Sequence, residues 1–116
     1  MFQKLIIVGH CGGEPSMRYT VDGKPVTSFS VAVSDRKDET MWVRVSAWNT
    51  LAETCNQYLH KGSKVLVEGR LKADAQGNPR TYERKDGTWG ASFEVVASSV
   101  KFLSGKDEPA DQEIAF

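Results

Sequence analysis

One helical stretch lies in the middle of a chain whose other apolar residues follow the period of β-strands. Between about residue 50 and residue 60, four apolar residues recur at helical spacing: Leu51, Cys55, Tyr58 and Leu59. Thr50 and Glu53 have the spacing of a capping box, which predicts the start of the helix, and Gly62 suits its end. Because one helix of this length must pack against strands built from the rest of the chain, its place among them restricts the possible folds.

Five strands are predicted around this helix. They cover residues 4–10, 26–34, 41–48, 64–71 and 91–103. The helix lies between the third and fourth strands, which is the order of an OB-fold, a five-stranded Greek-key barrel. A charged loop is expected over residues 35–40, and the turn signals QGNP and KDG predict a projecting hairpin within residues 72–90. We therefore expect an all-β OB-fold domain over residues 1–104.

Length and composition agree with one small intracellular domain. The 116 residues are enough for a modest core, and 40% of them are hydrophobic. No apolar run approaches the roughly 20 residues that span a bilayer, and the first residues do not resemble a secretory signal. We therefore expect a cytoplasmic protein with no membrane partner. Cys11 and Cys55 are expected to be free, buried thiols, although a disulfide is possible.

Charge is distributed unevenly along the chain. The formal net charge is zero, yet the last eleven residues hold one lysine and four acids, so residues 1–105 carry a net charge of +3. Such asymmetry is typical of an acidic interaction tail on a body that favours anions. The segment 105–116 is rich in Asp, Glu, Pro and Ala and is predicted to be disordered.

The third strand, MWVRVSAW (41–48), carries two tryptophans and an arginine on one face. At a period of two, Trp42, Arg44 and Trp48 point to the side opposite the core, with the tryptophans roughly 20 Å apart. Two bases can stack on such rings while the arginine lies near a phosphate or sugar, and stacking tolerates any base. The alternative is that both tryptophans cover an interface with another protein chain.

Residues 70–89, which include most of the predicted hairpin, mix basic and aromatic residues. The basic ones are Arg70, Lys72, Arg80, Arg84 and Lys85, and the aromatic ones are Tyr82 and Trp89. This mixture on a projecting arm is typical of an electrostatic clamp for a nucleic acid. The alternative is a solvated loop, because three acids dilute the charge: Asp74, Glu83 and Asp86.

No pattern in the sequence indicates catalysis. The two histidines, His10 and His60, have no metal-ligand spacing with either cysteine, and neither G-x-S-x-G nor a phosphate-binding loop is present. We expect no enzymatic activity, no metal and no cofactor. A rival to nucleic-acid binding is an OB-fold primosome-type or structural subunit that uses the same face for protein contacts.

Long ordered segments carry a family resemblance over residues 3–103. They are KLIIVGHCGGEPSMRY, FSVAVS, MWVRVSAWNTLAETCNQYLHKGSKVLVEGRL, RTYERKDG and FEVVA. The chain resembles the bacterial single-stranded DNA-binding protein of the tetrameric OB-fold kind. The resemblance implies that single-stranded DNA is the partner, that binding serves replication, recombination and repair, and that the protein is a nucleoid-associated homotetramer.

The resemblance also implies roles for individual residues. Trp42, Trp48 and Tyr82 match aromatic positions that stack on DNA, and Arg44, Lys61 and Arg80 match basic positions near its path. To these we add three cations in or next to the predicted hairpin, on the ground of charge alone: Arg70, Lys72 and Arg84. The sequence departs from the family pattern at Thr50, where many members have lysine, at the extra residues 73–79, and at Trp89, which has no counterpart.

The last residues resemble the acidic tip by which the family docks on replication and repair proteins. Asp111 and Glu113 supply charge, and Ile114 and Phe116 supply apolar anchors, while Ala115 replaces the family's proline.

The first strand, independently of any resemblance, has apolar residues on both faces. Because an outer strand of this kind exposes apolar surface, we do not expect a monomer.

Overall fold

The structure is a computed structural model that describes residues 1–36 and 39–103. It contains seven strands and one helix within these ranges. In chain order they are β1 (Leu5–Cys11), β2 (Ser16–Tyr19), β3 (Pro25–Arg36), β4 (Glu39–Trp48), α1 (Thr50–Tyr58), β5 (Lys64–Leu71), β6 (Arg80–Glu83) and β7 (Trp89–Phe102).

Five of the strands close into a barrel. Their order around it is β1-β5-β7-β4-β3, and β1 returns to β3 through the pairs His10↔Ala32 and Cys11↔Val31. The β4–β7 pair is parallel and the other pairs are antiparallel. One helix lies between the third and fourth barrel strands, β4 and β5. The predicted OB-fold is therefore confirmed.

Small and branched apolar residues fill the barrel. Six valines at most 2% exposed form its centre: Val31, Val43, Val45, Val65, Val67 and Val95. The helix is fixed to the barrel by the buried Thr27 hydroxyl, which donates to the Ala52 carbonyl at 2.6 Å. Cys11 and Cys55 are free and buried, as predicted. Burial raises the pKa of Cys11 to about 11 and that of Cys55 to about 12.

The capping box predicted at Thr50 and Glu53 is wrong. The cap is Asn49, whose side chain makes no capping bond and whose φ is 59°. A positive φ is uncommon in residues other than glycine, although asparagine tolerates it more readily than most. Thr50 is the first helical residue. The backbone N–H of Glu53 donates to the Asn49 carbonyl at 3.2 Å. The helix ends at Tyr58, two residues earlier than predicted, and Tyr58 is exposed apart from a contact with Phe102.

Two short strands supplement the predicted five. β2 pairs with β3 beyond the barrel, and β6 pairs with β7 to form the hairpin predicted within residues 72–90. Part of the loop predicted over residues 35–40 is strand, because β3 runs to Arg36 and β4 starts at Glu39. The tail predicted over 105–116 lies outside the described residues. No helix in the described ranges is long and apolar enough to cross a membrane.

Candidate nucleic-acid interface

The register of β3 on β4 leaves Trp42 and Arg44 beside small side chains. Trp42 pairs with Ala32, and Arg44 pairs with Ser30. Neither neighbour is large enough to cover an indole or a guanidinium, so Arg44 is exposed and Trp42 is 55% exposed. Trp48, at the far end of the same face, pairs with Val26 and is half-buried.

A concave surface of about 560 Å³ lies beside these residues, and we call it the basic cleft. Its aromatic and basic lining is contributed by β2, β4, β6 and the segment after β5: Arg18, Trp42, Arg44, Lys72, Arg80 and Tyr82. The hairpin therefore faces the β4 row of Trp42 and Arg44 across an open space. Four of the five charged residues in the lining are cations, so the cleft attracts anions.

The fifth charged residue in the cleft is Glu94 on β7. Its carboxylate Oε2 lies 3.0 Å from Arg80 Nε and accepts a hydrogen bond from the Ser92 hydroxyl at 3.3 Å. The Glu94 side chain is 11% exposed, whereas that of Arg80 is 52% exposed. The ion pair orients Arg80 and reduces the net charge of the lining to +3.

Trp48 lies in a second concave surface, which we call the Trp48 hollow. It measures about 540 Å³ and is lined by Trp48, Leu51, Arg70 and Lys72 together with β7 residues. Lys72 lines both concave surfaces, so they adjoin at its side chain. The two tryptophans thus share one face of β4 but line different concave surfaces, which meet at Lys72.

Arg84 is engaged within the hairpin. Its guanidinium carbon lies 5.5 Å from the centroid of the Tyr82 ring, and its Nη1 donates to the Trp89 carbonyl at 2.9 Å. Gly90 permits this arrangement, because a Cβ there would lie 2.8 Å from the guanidinium carbon of Arg84 and 2.9 Å from the Tyr82 ring. Tyr82 keeps 45% of its surface exposed. Arg84 therefore restrains the orientation of the Tyr82 ring.

Lys61 lies apart from these residues and lines neither the basic cleft nor the Trp48 hollow. Its backbone N–H donates to Glu14 Oε2 at 2.9 Å, and Glu14 Oε1 lies 3.5 Å from His60 Nδ1. The backbone hydrogen bond from Lys61 lowers the pKa of Glu14, with a smaller contribution from the His60 side chain. Glu14 thus joins the loop after β1 to the chain that follows α1.

Sequence reasoning missed Arg18 and Glu94. Arg18 reaches the cleft because β2 pairs with β3 and places it opposite Val26. The alternation of S-M-R-Y was the available signal, although a four-residue strand is too short for it to be strong. Glu94 reaches the cleft because β7 runs parallel to β4 and places it beside Arg44.

The predicted tip residues Asp111, Glu113, Ile114 and Phe116 lie outside the described residues. Within residues 1–36 and 39–103, no three His, Cys, Asp or Glu side chains are grouped so that they could hold a metal ion.

Comparisons with known proteins point to one family. The sequence model of the Single-strand binding protein family matches residues 2–103. The "Single-stranded DNA-binding protein" of Neisseria meningitidis serogroup A is 35% identical over 113 residues, a match that covers 90% of this chain and 62% of that protein. The "Single-stranded DNA-binding protein 1" of Chlorobaculum tepidum is 34% identical over 112 residues, covering 90% and 66%. The chain therefore matches less than two thirds of the length of either relative.

Proposed function

Since the chain belongs to the single-strand binding protein family, we propose that it binds single-stranded DNA with little sequence specificity. The observation that carries this proposal is the exposed Trp42 indole beside Arg44 in a cleft whose charged residues sum to +3. Tyr82 faces that pair from the hairpin. A strand laid along the cleft has rings for its bases and cations for its phosphates.

Stacking and charge have separate tasks in this proposal. The rings of Trp42, Trp48 and Tyr82 take bases, at about 1–3 kcal/mol per base, and every base offers a π-face. Arg18, Arg44 and Lys72 take phosphates, and Arg70 in the Trp48 hollow extends the path. Because neutralised phosphates release counterions, the logarithm of the affinity falls with the logarithm of the salt concentration by about 0.7 per contact.

Lys61 and Arg84, which the sequence predicts to bind DNA, act on binding only indirectly under this proposal. Lys61 contributes long-range positive potential from outside the cleft, and Arg84 acts through the Tyr82 ring that it holds. Arg80 contributes less than a free arginine, because Glu94 already neutralises it.

The cellular role that we propose is protection of single strands during replication, recombination and repair, in the cytoplasm on the nucleoid and without catalysis. We further propose a homotetramer. Its support is β1, where Ile7 is buried in the barrel while Ile6, on the opposite face, is 51% exposed. The acidic and apolar residues Asp111, Glu113, Ile114 and Phe116 support recruitment of replication and repair proteins through the C-terminal tip.

The test is a titration of the full chain with unstructured oligothymidine, followed by tryptophan fluorescence at low and at high salt. The expected result is strong quenching at low salt, with an affinity that falls as salt rises. Duplex DNA of equal length is the control and should give little quenching. An unchanged emission at low salt would overturn the proposal and would favour a primosome-type or structural subunit that uses the tryptophan face for protein contacts.

A further inference from the structure

The six-membered ring of the Trp42 indole lies against the backbone of Gly12, in the loop after β1. A Cβ atom added to Gly12 would lie 2.8 Å from Trp42 Cη2 and closer still to Cζ3. Non-bonded carbon atoms prefer separations of about 3.5–4.0 Å. The indole can therefore occupy this position only because residue 12 has no side chain.

The loop beneath the indole is fixed by hydrogen bonds on both sides. The Gly12 N–H donates to the Ser30 carbonyl of β3 at 3.0 Å. Just before it, Cys11 exchanges two backbone bonds of 2.8 Å with Gly62 and Ser63. Just after it, the Glu14 carboxylate accepts the Lys61 N–H. The surface that meets the indole thus has hydrogen bonds to β3 and to the segment between α1 and β5.

We propose that Gly12 is a positioning residue for single-strand binding, because it sets the orientation in which Trp42 meets a base. This inference rests on the proposed function. A ring that is already held loses little rotamer freedom when a base stacks on it, so binding is stronger than with a mobile ring. A side chain at position 12 would displace the indole, and we expect an affinity about threefold to tenfold weaker.

The backbone gives Gly12 no reason of its own to be glycine. The described glycines with positive φ are Gly23, Gly62, Gly77 and Gly87, so Gly12 has a conformation that alanine also adopts. The three atoms nearest to an added Cβ are all in the Trp42 side chain. A shift of that side chain relieves the clash, so the substitution should alter the indole before it alters the barrel.

The neighbouring glycine offers a matched control. Gly13 also lacks a positive φ, and a Cβ added there meets nothing within 4 Å. Gly13→Ala therefore makes the same chemical change in the same loop without touching the indole. Any effect on the flexibility of the unfolded chain is shared by the two variants.

The experiment compares wild type, Gly12→Ala and Gly13→Ala as full chains. Affinity is measured by fluorescence anisotropy of a dye-labelled oligothymidine, which does not depend on tryptophan emission, and melting temperature is measured in parallel. The inference predicts that Gly12→Ala binds about threefold to tenfold more weakly while Gly13→Ala matches wild type. Equal affinities for the two variants, with wild type binding normally, would overturn it.

A double-mutant cycle separates an effect through the ring from a general loss of structure. In a Trp42→Phe background the far ring atoms Cζ3 and Cη2 of the indole are gone, so Gly12→Ala should change the affinity by less than twofold. An undiminished loss in that background would overturn the inference, since Gly12 would then act through the backbone. If Gly12→Ala lowers the melting temperature of the wild type, this background still decides the matter, because there Gly12→Ala should lower neither the melting temperature nor the affinity of the Trp42→Phe protein.

A readout without DNA keeps this inference distinct from the proposed function. With Trp48→Phe and Trp89→Phe, Trp42 is the only tryptophan, and its quenching by acrylamide reports its exposure. Gly12→Ala should increase that quenching and Gly13→Ala should not; the same quenching in both would overturn the placement of the ring. Wild type that fails to bind oligothymidine would overturn the proposed function, and with it the role of Gly12 in binding, whatever the acrylamide result.

Discussion

Arg80 Nε lies 3.0 Å from Glu94 Oε2, so one of the four cations in the basic cleft is neutralised by the acid that lines it. The carboxylate is mostly buried and the guanidinium is half exposed. Under the proposed function, an acid that repels phosphates lies in the cleft that would bind them. Glu94 would then limit the affinity of the cleft while its ion pair orients Arg80.

Glu94→Gln should therefore strengthen binding to oligothymidine. Removal of one negative charge frees Arg80 for a phosphate, and we expect an affinity about twofold to fivefold higher at low salt. The salt dependence should steepen by about 0.7 in the logarithmic slope. Anisotropy titrations at several salt concentrations measure both quantities. Glu53→Gln, an exposed acid on α1, is the control and should change neither. Weaker binding by Glu94→Gln, at the level of Arg80→Ala, would show that orientation outweighs charge.

Trp42→Ala should weaken binding and remove much of the fluorescence response. One lost base stack corresponds to about 1–3 kcal/mol, or roughly fivefold to a hundredfold in Kd. The salt slope should stay unchanged, because no phosphate contact is removed. Tyr58→Ala removes an equally exposed ring on α1, outside the cleft, and should leave the affinity as it is. A Trp42→Ala protein that binds like wild type would remove Trp42 from the interface.

Arg84→Ala and Tyr82→Ala should be non-additive. The guanidinium lies over the tyrosine ring, and such cation–π contacts are worth about 0.5–1 kcal/mol at exposed sites. Tyr82→Ala removes the ring, and Arg84→Ala removes the guanidinium that supports it. Because Arg84 acts through the ring, the double variant should bind about as weakly as Tyr82→Ala alone. Anisotropy titration of the four proteins gives the coupling. Strict additivity, with a shallower salt slope for Arg84→Ala, would instead assign Arg84 to a phosphate.

Acid should remove the stabilisation that Glu14 gives to the loop beneath Trp42. The backbone N–H of Lys61, and then the His60 side chain, lower the pKa of Glu14 below its ordinary 4.5. A carboxyl with a lowered folded pKa stabilises the protein above the unfolded pKa and loses that effect as pH falls through the folded pKa. Wild type should melt at a higher temperature than Glu14→Gln at neutral pH, and the two should converge well below pH 4.5. A constant difference across that range would contradict this assignment.

The barrel was predictable from residues whose signals are local. Alternation along MWVRVSAW and the helical spacing after Thr50 each depend on a few neighbouring residues. Such patterns indicate the order of strands and helix along the chain. The cap at Asn49 was not predictable in this way, because no local pattern indicates the positive φ of 59° that Asn49 adopts between β4 and α1. The sequence also marks Thr50 and Glu53 as a plausible cap, and only the folded chain decides between the two.

The site was predictable where one strand alone arranges it. Trp42 and Arg44 follow from the period of β4, and Tyr82 and Arg80 from the hairpin signal. Arg18 and Glu94 reach the cleft through pairings between strands distant in sequence, β2 with β3 and β7 with β4. The engagement of Arg84 with Tyr82 depends likewise on the register at Gly90. Charge and composition carry no information about such registers.

The barrel closes through only two residue pairs between β1 and β3, followed by the bond from Gly12 to Ser30. Local opening of a folded protein begins where the fewest bonds must break, and this closure is such a place. The loop that follows it lies under Trp42. A ligand that binds only the closed form stabilises that form by mass action. A bound single strand should therefore stabilise the pairing of β1 with β3. Its binding should slow amide hydrogen exchange at Cys11 and Gly12 far more than it slows exchange in α1.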